Sequence, residues 1–144
     1  MPDGYLTTRP GIRELLYATA ADPNVIAMDE LTKETITLGE LATFAPLVSS
    51  PSNAQAIQVP VLIVNGQNDN LFCTPPLCSE AQLEASYYPP AAQAEVQVIP
   101  NAGHSLNLDP NAHTFFSQAI AWSEQHFSGC GHRSRGCMHK CPCH

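Results

Sequence analysis

Two short apolar runs, each followed by a polar loop that contains glycine, constrain the fold of this chain more than any other feature. The first run covers residues 59–64 and its loop presents Asp69; the second covers residues 95–99 and its loop presents His104. The first run is apolar on both faces, which is typical of a parallel strand with helices on either side. Strand, helix, strand and helix within roughly 70 residues predict parallel pairing through a right-handed crossover. The sequence therefore predicts an α/β fold with both loops at the carboxyl ends of its strands.

Two helices complete this predicted unit. Residues 77–86 are predicted to form the connecting helix, and Ser79 is able to cap it. The Asp-Pro pair at 109–110 is a helix-start signal, and apolar residues follow it at helical spacing. A closing helix is therefore predicted over residues 110–127.

The segment before the strands is predicted to hold short amphipathic helices, over residues 10–49. Asp22 precedes a proline and supplies a capping carboxylate for one of them. Thr37 followed by Glu40 is a capping-box pattern that opens the next. Residues 49–55 are polar and are predicted to form a connector.

The charge balance argues against two classes of partner. Six Lys and Arg residues stand against 13 Asp and Glu, which gives a net charge of −7 and no basic stripe. Nucleic acid and anionic membrane surfaces are therefore not expected as partners. The run at 59–64 is far too short for a transmembrane segment, and the N-terminus lacks the basic and apolar regions of a signal peptide. Because the native start can lie upstream of Met1, the localisation stays unknown.

Asp69 and His104 are of the residue types that make up two-thirds of a catalytic triad. Histidine can serve as a general base because its reference pKa is about 6.5. A carboxylate beside it orients the ring and stabilises the imidazolium that forms. Ligands of open α/β sheets bind at the carboxyl ends of the strands, where both loops are placed. The competing interpretation is a turn aspartate and a loop histidine bonded only to backbone.

Both loops carry a family resemblance. Residues 59–69, Val-Pro-Val-Leu-Ile-Val-Asn-Gly-Gln-Asn-Asp, resemble the late core strand of the α/β-hydrolase fold, which leads to Gly-x-x-Asp. Residues 100–105, Pro-Asn-Ala-Gly-His-Ser, resemble the loop after the last core strand of that family, and residues 110–127 are similar to its closing helix. The resemblance covers residues 57–127.

The resemblance implies a chemistry and a role for each site residue. It implies a serine hydrolase of the esterase, lipase or amidase type, which acts on a small-molecule or peptide carbonyl substrate and needs no cofactor. Asp69 takes the role of the triad acid and His104 that of the base. The helices at 10–49 occupy the position at which family members often carry a lid over the active site.

The nucleophile of such a triad is missing from its expected place. The family carries its Ser upstream of the Asp, in a Gly-x-Ser-x-Gly elbow, and residues 1–58 contain no such motif. The strands that carry this Ser and the oxyanion donors in the family are missing as well. The chain is therefore predicted to be the C-terminal part of a hydrolase and inactive alone, unless a separate chain supplies the Ser.

Two residues compete for the role of nucleophile. Ser105 lies in Gly-His-Ser-Leu-Asn, residues 103–107, which nearly spells the elbow. An elbow Ser must lead directly into a helix, however, and the helix signals here begin only further along the chain. Cys73 is close to Asp69 in sequence, but a small buried residue or half of a disulfide with Cys78 is the favoured interpretation. In a reducing compartment the two cysteines would be free thiols.

Residues 128–144 differ abruptly in composition from the rest of the chain. They hold four of the six Cys and three of the six His, with almost no aliphatic residues. Thiolate and imidazole suit zinc or copper(I), but Cys137, Cys141 and Cys143 do not form a paired Cys-x2-Cys knuckle. A disordered tail, or an out-of-frame stretch joined to the coding region, is favoured, and no metal ligand is assigned. The alternative function is a non-enzymatic metal-binding or redox-sensitive protein that uses this tail.

The chain is thus predicted to divide into three segments: a lid-like helical segment at 1–56, the C-terminal part of an α/β-hydrolase core at 57–127 and the tail at 128–144. Two strands alone leave a sheet edge unpaired, and their apolar faces normally require further strands and helices. Marginal stability and self-association of the isolated chain are therefore expected.

Overall fold

The computed structural model describes residues 4–18, 20–48, 51–74 and 78–127. The tail at 128–144 and the Pro75-Pro76 turn lie outside the described residues, and so do the predictions made for them. The described chain is of mixed α/β type. Its elements follow in this order: β1 (Tyr5–Leu6), a 3-10 helix (Ile12–Leu16), α1 (Pro23–Thr32), β2 (Ile36–Thr37), α2 (Leu38–Val48), α3 (Pro51–Gln55), β3 (Leu62–Gly66), α4 (Ser79–Ala85), a 3-10 helix (Pro90–Ala92), β4 (Glu95–Ile99) and α5 (Ala112–Phe127).

The two apolar runs form a parallel strand pair, which confirms that part of the fold prediction. The register of β3 and β4 sets Leu62 opposite Glu95 and Gly66 opposite Ile99. Both strands therefore end at the same edge of the sheet, and the loops that follow them start side by side.

β3 is displaced from the predicted range of 59–64. Pro60 has no N–H to give to a strand ladder, so regular pairing begins after it. Val61 is still held in line, because its N–H donates to the Ala92 carbonyl and its carbonyl accepts from Glu95, both at 3.0 Å. The strand then continues to Gly66, beyond the predicted end.

The local capping signals upstream are confirmed. The Asp22 carboxylate accepts the Asn24 N–H at 2.8 Å at the start of α1. The Thr37 N–H donates to the Glu40 carboxylate at 2.8 Å, and the Glu40 N–H donates to the Thr37 hydroxyl at 3.1 Å. This reciprocal capping box opens α2.

Two predicted caps are wrong. The N-cap position of α4 belongs to Cys78, which has a left-handed backbone and no side-chain cap, so Ser79 is already inside the helix. The Asp109 carboxylate does not cap α5, because it accepts the N–H groups of Gly103 and Ala18 instead. α5 accordingly begins at Ala112 rather than at residue 110.

The N-terminal segment differs from a plain row of helices. β1 pairs antiparallel with β2, with Tyr5 opposite Thr37. A 3-10 helix replaces the α-helix expected after Pro10, and Pro51–Gln55 is helical although a connector was predicted there. A proline at the first helical position explains that last difference, since its fixed φ suits a helix start.

Buried apolar side chains lie mainly around the parallel strands. The core cluster and the apolar residues without exposed surface are Ile63, Cys78, Ala81, Ala92, Ile99 and Ala102. α5 packs against β3, yet Phe116 and Ile120 on this helix are 47% and 59% exposed. The apolar spacing thus predicted the helix, but the described chain covers only part of its apolar surface. None of the described helices has the length and apolarity needed to cross a membrane.

Candidate active site

The loop after β3 holds the Asp69 carboxylate in a fixed orientation. The chain turns at the end of the strand, where the Asp69 N–H donates to the Gly66 carbonyl at 3.1 Å. Oxygen Oδ1 of Asp69 accepts the N–H groups of Leu71 at 2.8 Å and Phe72 at 3.0 Å. Asp69 is only 2% exposed. These two bonds compensate part of the cost of burying a carboxylate and leave the other oxygen, Oδ2, for a further partner.

The loop after β4 brings His104 to that second oxygen. The distance from His104 Nδ1 to Asp69 Oδ2 is 3.0 Å. The His104 side chain is 31% exposed, whereas that of Asp69 is 3% exposed. The structure therefore brings together the two residues that the sequence singled out, and it buries the carboxylate while leaving the imidazole partly exposed.

The contact with Asp69 determines which nitrogen of His104 carries the proton in the neutral ring. An ionised carboxylate can only accept, so Nδ1 must donate its N–H to Oδ2. Nε2 then keeps its lone pair, and no hydrogen bond joins it to another residue in the described ranges. The imidazole, whose side chain is 31% exposed, is thus arranged to accept a proton at Nε2.

The ring of Phe72 lies beside the imidazole of His104. Its ring centroid lies 5.2 Å from that of His104, at an interplanar angle of 50°. The Phe72 residue is 56% exposed, so it does not belong to the buried core. Its N–H is held by Asp69, which places the side chain beyond the buried layer and next to the imidazole.

Close backbone contact fixes the two loops relative to each other. A Cβ atom on Gly66 would lie 2.1 Å from the Gly103 carbonyl oxygen, so only glycine permits this approach. The N–H groups of Gln67 and Asn68 donate to the carbonyls of Ile99 and Ala102, at 2.9 and 2.8 Å. Backbone packing therefore holds the loop that carries His104 against the loop that carries Asp69.

The end of the first 3-10 helix joins both loops. The Leu16 carbonyl accepts the Ser105 N–H at 2.9 Å, and the Leu15 carbonyl accepts from the Asn70 side chain at 3.3 Å. A Cβ atom on Gly103 would lie 2.6 Å from the Tyr17 carbonyl carbon. The N-terminal segment therefore packs directly on the site rather than standing apart from it.

Tyr17 is the buried phenol of this contact. Burial raises its pKa above the ordinary value, and the nearby Asp29 carboxylate raises it further, while Ser105 and Arg13 act in the opposite direction. Its hydroxyl lies near Asp29 and Ser105 but has no partner at hydrogen-bonding geometry. The phenol therefore stays protonated at neutral pH and supplies no base.

Asp109 was interpreted from the sequence as a helix cap, and its place in the site was missed. It is 4% exposed and accepts the N–H of Gly103, the residue before His104. An Asp followed by a Pro is the same sequence pattern whether the carboxylate caps a helix or bonds to the loop that carries His104. Only the position of residues 17 and 18, which are distant in sequence, distinguishes the two roles.

Neither candidate nucleophile is hydrogen-bonded to His104 in the structure. The structure has no hydrogen bond between the Ser105 hydroxyl and His104, and Ser105 lies toward Tyr17. Cys73 forms a disulfide with Cys78 and so has no free thiol in this form. Within the described ranges, no group of three or more His, Cys, Asp and Glu residues is placed to hold a metal ion. The cysteines and histidines of the tail lie outside those ranges.

Neither models of known protein families nor curated protein sequences match this chain.

Proposed function

We propose that this chain carries the acid and base of a hydrolytic site of the α/β-hydrolase type, which acts on ester or amide carbonyls. The observation that carries the proposal is the contact between the buried Asp69 carboxylate and Nδ1 of the His104 side chain, which is 31% exposed. This contact joins loops that follow two parallel strands. Ligands of open α/β sheets bind at that end of the strands.

His104 acts as the general base in this proposal. Nε2 takes the proton of a hydroxyl group as its oxygen attacks the carbonyl carbon, and the imidazolium returns the proton to the leaving group. Asp69 holds the ring in the required tautomer and stabilises its positive charge. Because no Ser or Cys in the described ranges bonds to Nε2, the attacking hydroxyl comes from outside them.

An added alcohol tests this function without a protein nucleophile. The full chain is mixed with p-nitrophenyl acetate and trifluoroethanol, and release of p-nitrophenolate and formation of trifluoroethyl acetate are both followed. Base catalysis by His104 is expected to give a rate that rises linearly with the alcohol concentration and falls in deuterium oxide. In complete sites such catalysis contributes about 10²–10⁴-fold. The effect expected here lies below that range, because no oxyanion donors or binding pocket assist it.

Matched variants identify the residue responsible. His104→Ala should abolish the alcohol-dependent rate, and Asp69→Asn should reduce it, because an amide can present N–H to the ring and favour the wrong tautomer. His113→Ala removes an exposed histidine on α5 and should change nothing, as should Ser105→Ala. An alcohol-dependent rate equal in wild type and His104→Ala would refute the proposed function. A rate lost on Ser105→Ala would show that the chain has its own nucleophile.

A further inference from the structure

The described chain buries two carboxylates, and only one of them contacts His104. The buried polar or charged residues are Asp69 and Asp109. A buried carboxylate destabilises a fold unless it is well bonded, so its presence indicates a specific role. None of the ion pairs of the described residues involves Asp109. Its partners are backbone groups.

Asp109 joins the loop after β4, which carries His104, to the N-terminal segment. Oδ2 accepts the Gly103 N–H at 2.5 Å, and Oδ1 lies 3.4 Å from the Ala18 nitrogen, 91 positions away in sequence. Ala18 is itself buried. The carboxylate thus spans two segments that pack tightly, since a Cβ atom on Gly103 would lie 2.7 Å from the Ala18 nitrogen.

Residues 109–111 also hold the other end of the loop that carries His104. The Asn111 side chain donates to the Pro100 carbonyl at 2.5 Å, so residues 109–111 bond to the loop both before and after its turn. The Ala112 N–H donates to the backbone carbonyl of Asp109 at 2.9 Å. The start of α5 therefore uses the main chain of Asp109 and leaves its side chain to the loop.

We propose that Asp109 is a positioning residue for His104. Its carboxylate fixes the peptide group at Gly103, which immediately precedes His104, and this sets the path along which the imidazole reaches Asp69. The role rests on the proposed function in so far as His104 is the base. The geometric effect on the His104 ring can be measured without any catalysis.

Nitrogen NMR of the full chain labelled with ¹⁵N tests this role. Long-range ¹H–¹⁵N spectra at neutral to mildly alkaline pH report which ring nitrogen of His104 bears the proton. The wild type is expected to show the Nδ1–H form alone, because that nitrogen donates to Asp69. Asp109→Ala is expected to lose this single form and to show the mixture of tautomers found in a free histidine. Asp22→Ala serves as the matched control, since it removes an aspartate that only caps α1.

A conservative variant keeps the test decisive if Asp109→Ala does not fold. Asp109→Asn preserves the volume, but its single oxygen can accept only one of the two N–H groups and its NH₂ faces the other. Loss of the single tautomer is therefore expected here as well, with the amide spectrum of β3 and β4 unchanged. A folded Asp109→Ala or Asp109→Asn protein with His104 still entirely in the Nδ1–H form would overturn the inference.

The two proposals can fail separately. A wild-type chain with the Nδ1–H tautomer but no alcohol-dependent catalysis would refute the proposed function and leave the role of Asp109 standing. Catalysis that depends on His104, together with a tautomer that is indifferent to residue 109, would refute the role of Asp109 alone.

Discussion

At the scale of single residues, two histidines of the described chain differ in what their ring nitrogens contact. His104 bonds through Nδ1 only. Both ring nitrogens of His126 face acceptors, with Nδ1 2.9 Å from the Trp122 carbonyl and Nε2 3.0 Å from the Glu95 carboxylate, and its side chain is only 12% exposed. Its side chain is also stacked on Trp122. An open nitrogen lone pair is what an electrophile needs, so the two residues should react at different rates.

Acylation by diethyl pyrocarbonate, followed by peptide mass mapping, measures this difference. His104 is expected to be modified well before His126, because its Nε2 carries a free lone pair. Glu95→Ala opens one nitrogen of His126 and should raise the rate there while leaving the rate at His104 unchanged. Equal rates at both residues in the wild type would contradict the arrangement of hydrogen bonds described for them.

At the scale of elements, the capping box of α2 makes its stability depend on pH. The Thr37 N–H, and after it the Thr37 hydroxyl, lower the pKa of the Glu40 carboxyl below the ordinary value of 4.5. A lowered pKa means that the stabilisation is fully present above pH 4.5 and is lost as the pH falls through the lowered pKa.

Glu40→Gln should therefore destabilise α2 at neutral pH, and the difference from wild type should shrink in acid. Amide hydrogen exchange along α2, measured over a series of pH values and corrected for intrinsic rates, checks this. Glu14→Gln lies outside the capping box and controls for loss of charge. If the exchange rates of wild type and Glu40→Gln differ equally at acid and neutral pH, the ionised carboxylate is not the source of the stabilisation.

The contact between the loops after β3 and β4 requires a glycine. Gly66→Ala places a Cβ atom 2.1 Å from the backbone oxygen of Gly103, and backbone cannot move aside as a flexible side chain can. Overpacking of this kind costs about 1–3 kcal/mol. The same change at Gly39 in α2 meets nothing closer than 3.9 Å and should stabilise the helix by about 0.5–1 kcal/mol. Urea unfolding is expected to show a lower free energy of unfolding for Gly66→Ala and a higher one for Gly39→Ala. A Gly66→Ala protein as stable as the wild type would contradict the loop packing.

These elements differ in how far the sequence could predict them. The capping box at Thr37 and the cap at Asp22 were predictable because each partner lies within three positions. The parallel pair was predictable from its apolar runs, but its bounds shifted because Pro60 cannot donate. The role of Asp109 was not predictable, since its partner Ala18 is 91 positions away and an identical local pattern marks an ordinary cap. The two-residue strands β1 and β2 pair across 30 residues with no sequence signal of their own.

The same distinction applies to the candidate site. That Asp69 and His104 would follow strands that end together could be argued from the sequence. The burial of Asp69 and the partial exposure of His104 could not be argued from the sequence, because burial depends on how segments that are distant in sequence pack over the two loops. The exposed position of Phe72 beside His104 likewise follows from the packing of the two loops, because large apolar residues are more often buried.

At the scale of the whole molecule, the fold leaves apolar surface and strand edges without partners. β3 and β4 pair only with each other among the described strands, so each has one open edge. Large apolar side chains are exposed on helices as well as near the sheet, including Leu31, Phe44, Phe116 and Ile120. Open edges and exposed apolar surface favour association between chains. The net charge of −7 opposes it through repulsion, so the balance should depend on salt.

Self-association is therefore expected to increase with salt and to depend on the outer face of α5. Sedimentation velocity over a series of protein and salt concentrations should show a monomer that gives way to larger species. Phe116→Asp should shift that balance toward monomer, because it places a charge within the exposed apolar surface. Ser117→Asp adds the same charge at the neighbouring exposed polar position and separates the loss of apolar contact from the gain of charge. A wild type that stays monomeric and unfolds in one cooperative thermal transition would contradict this expectation. It would show that the uncovered surface does not destabilise the chain, and that α5 and the two strands form a core sufficient for a stable monomer.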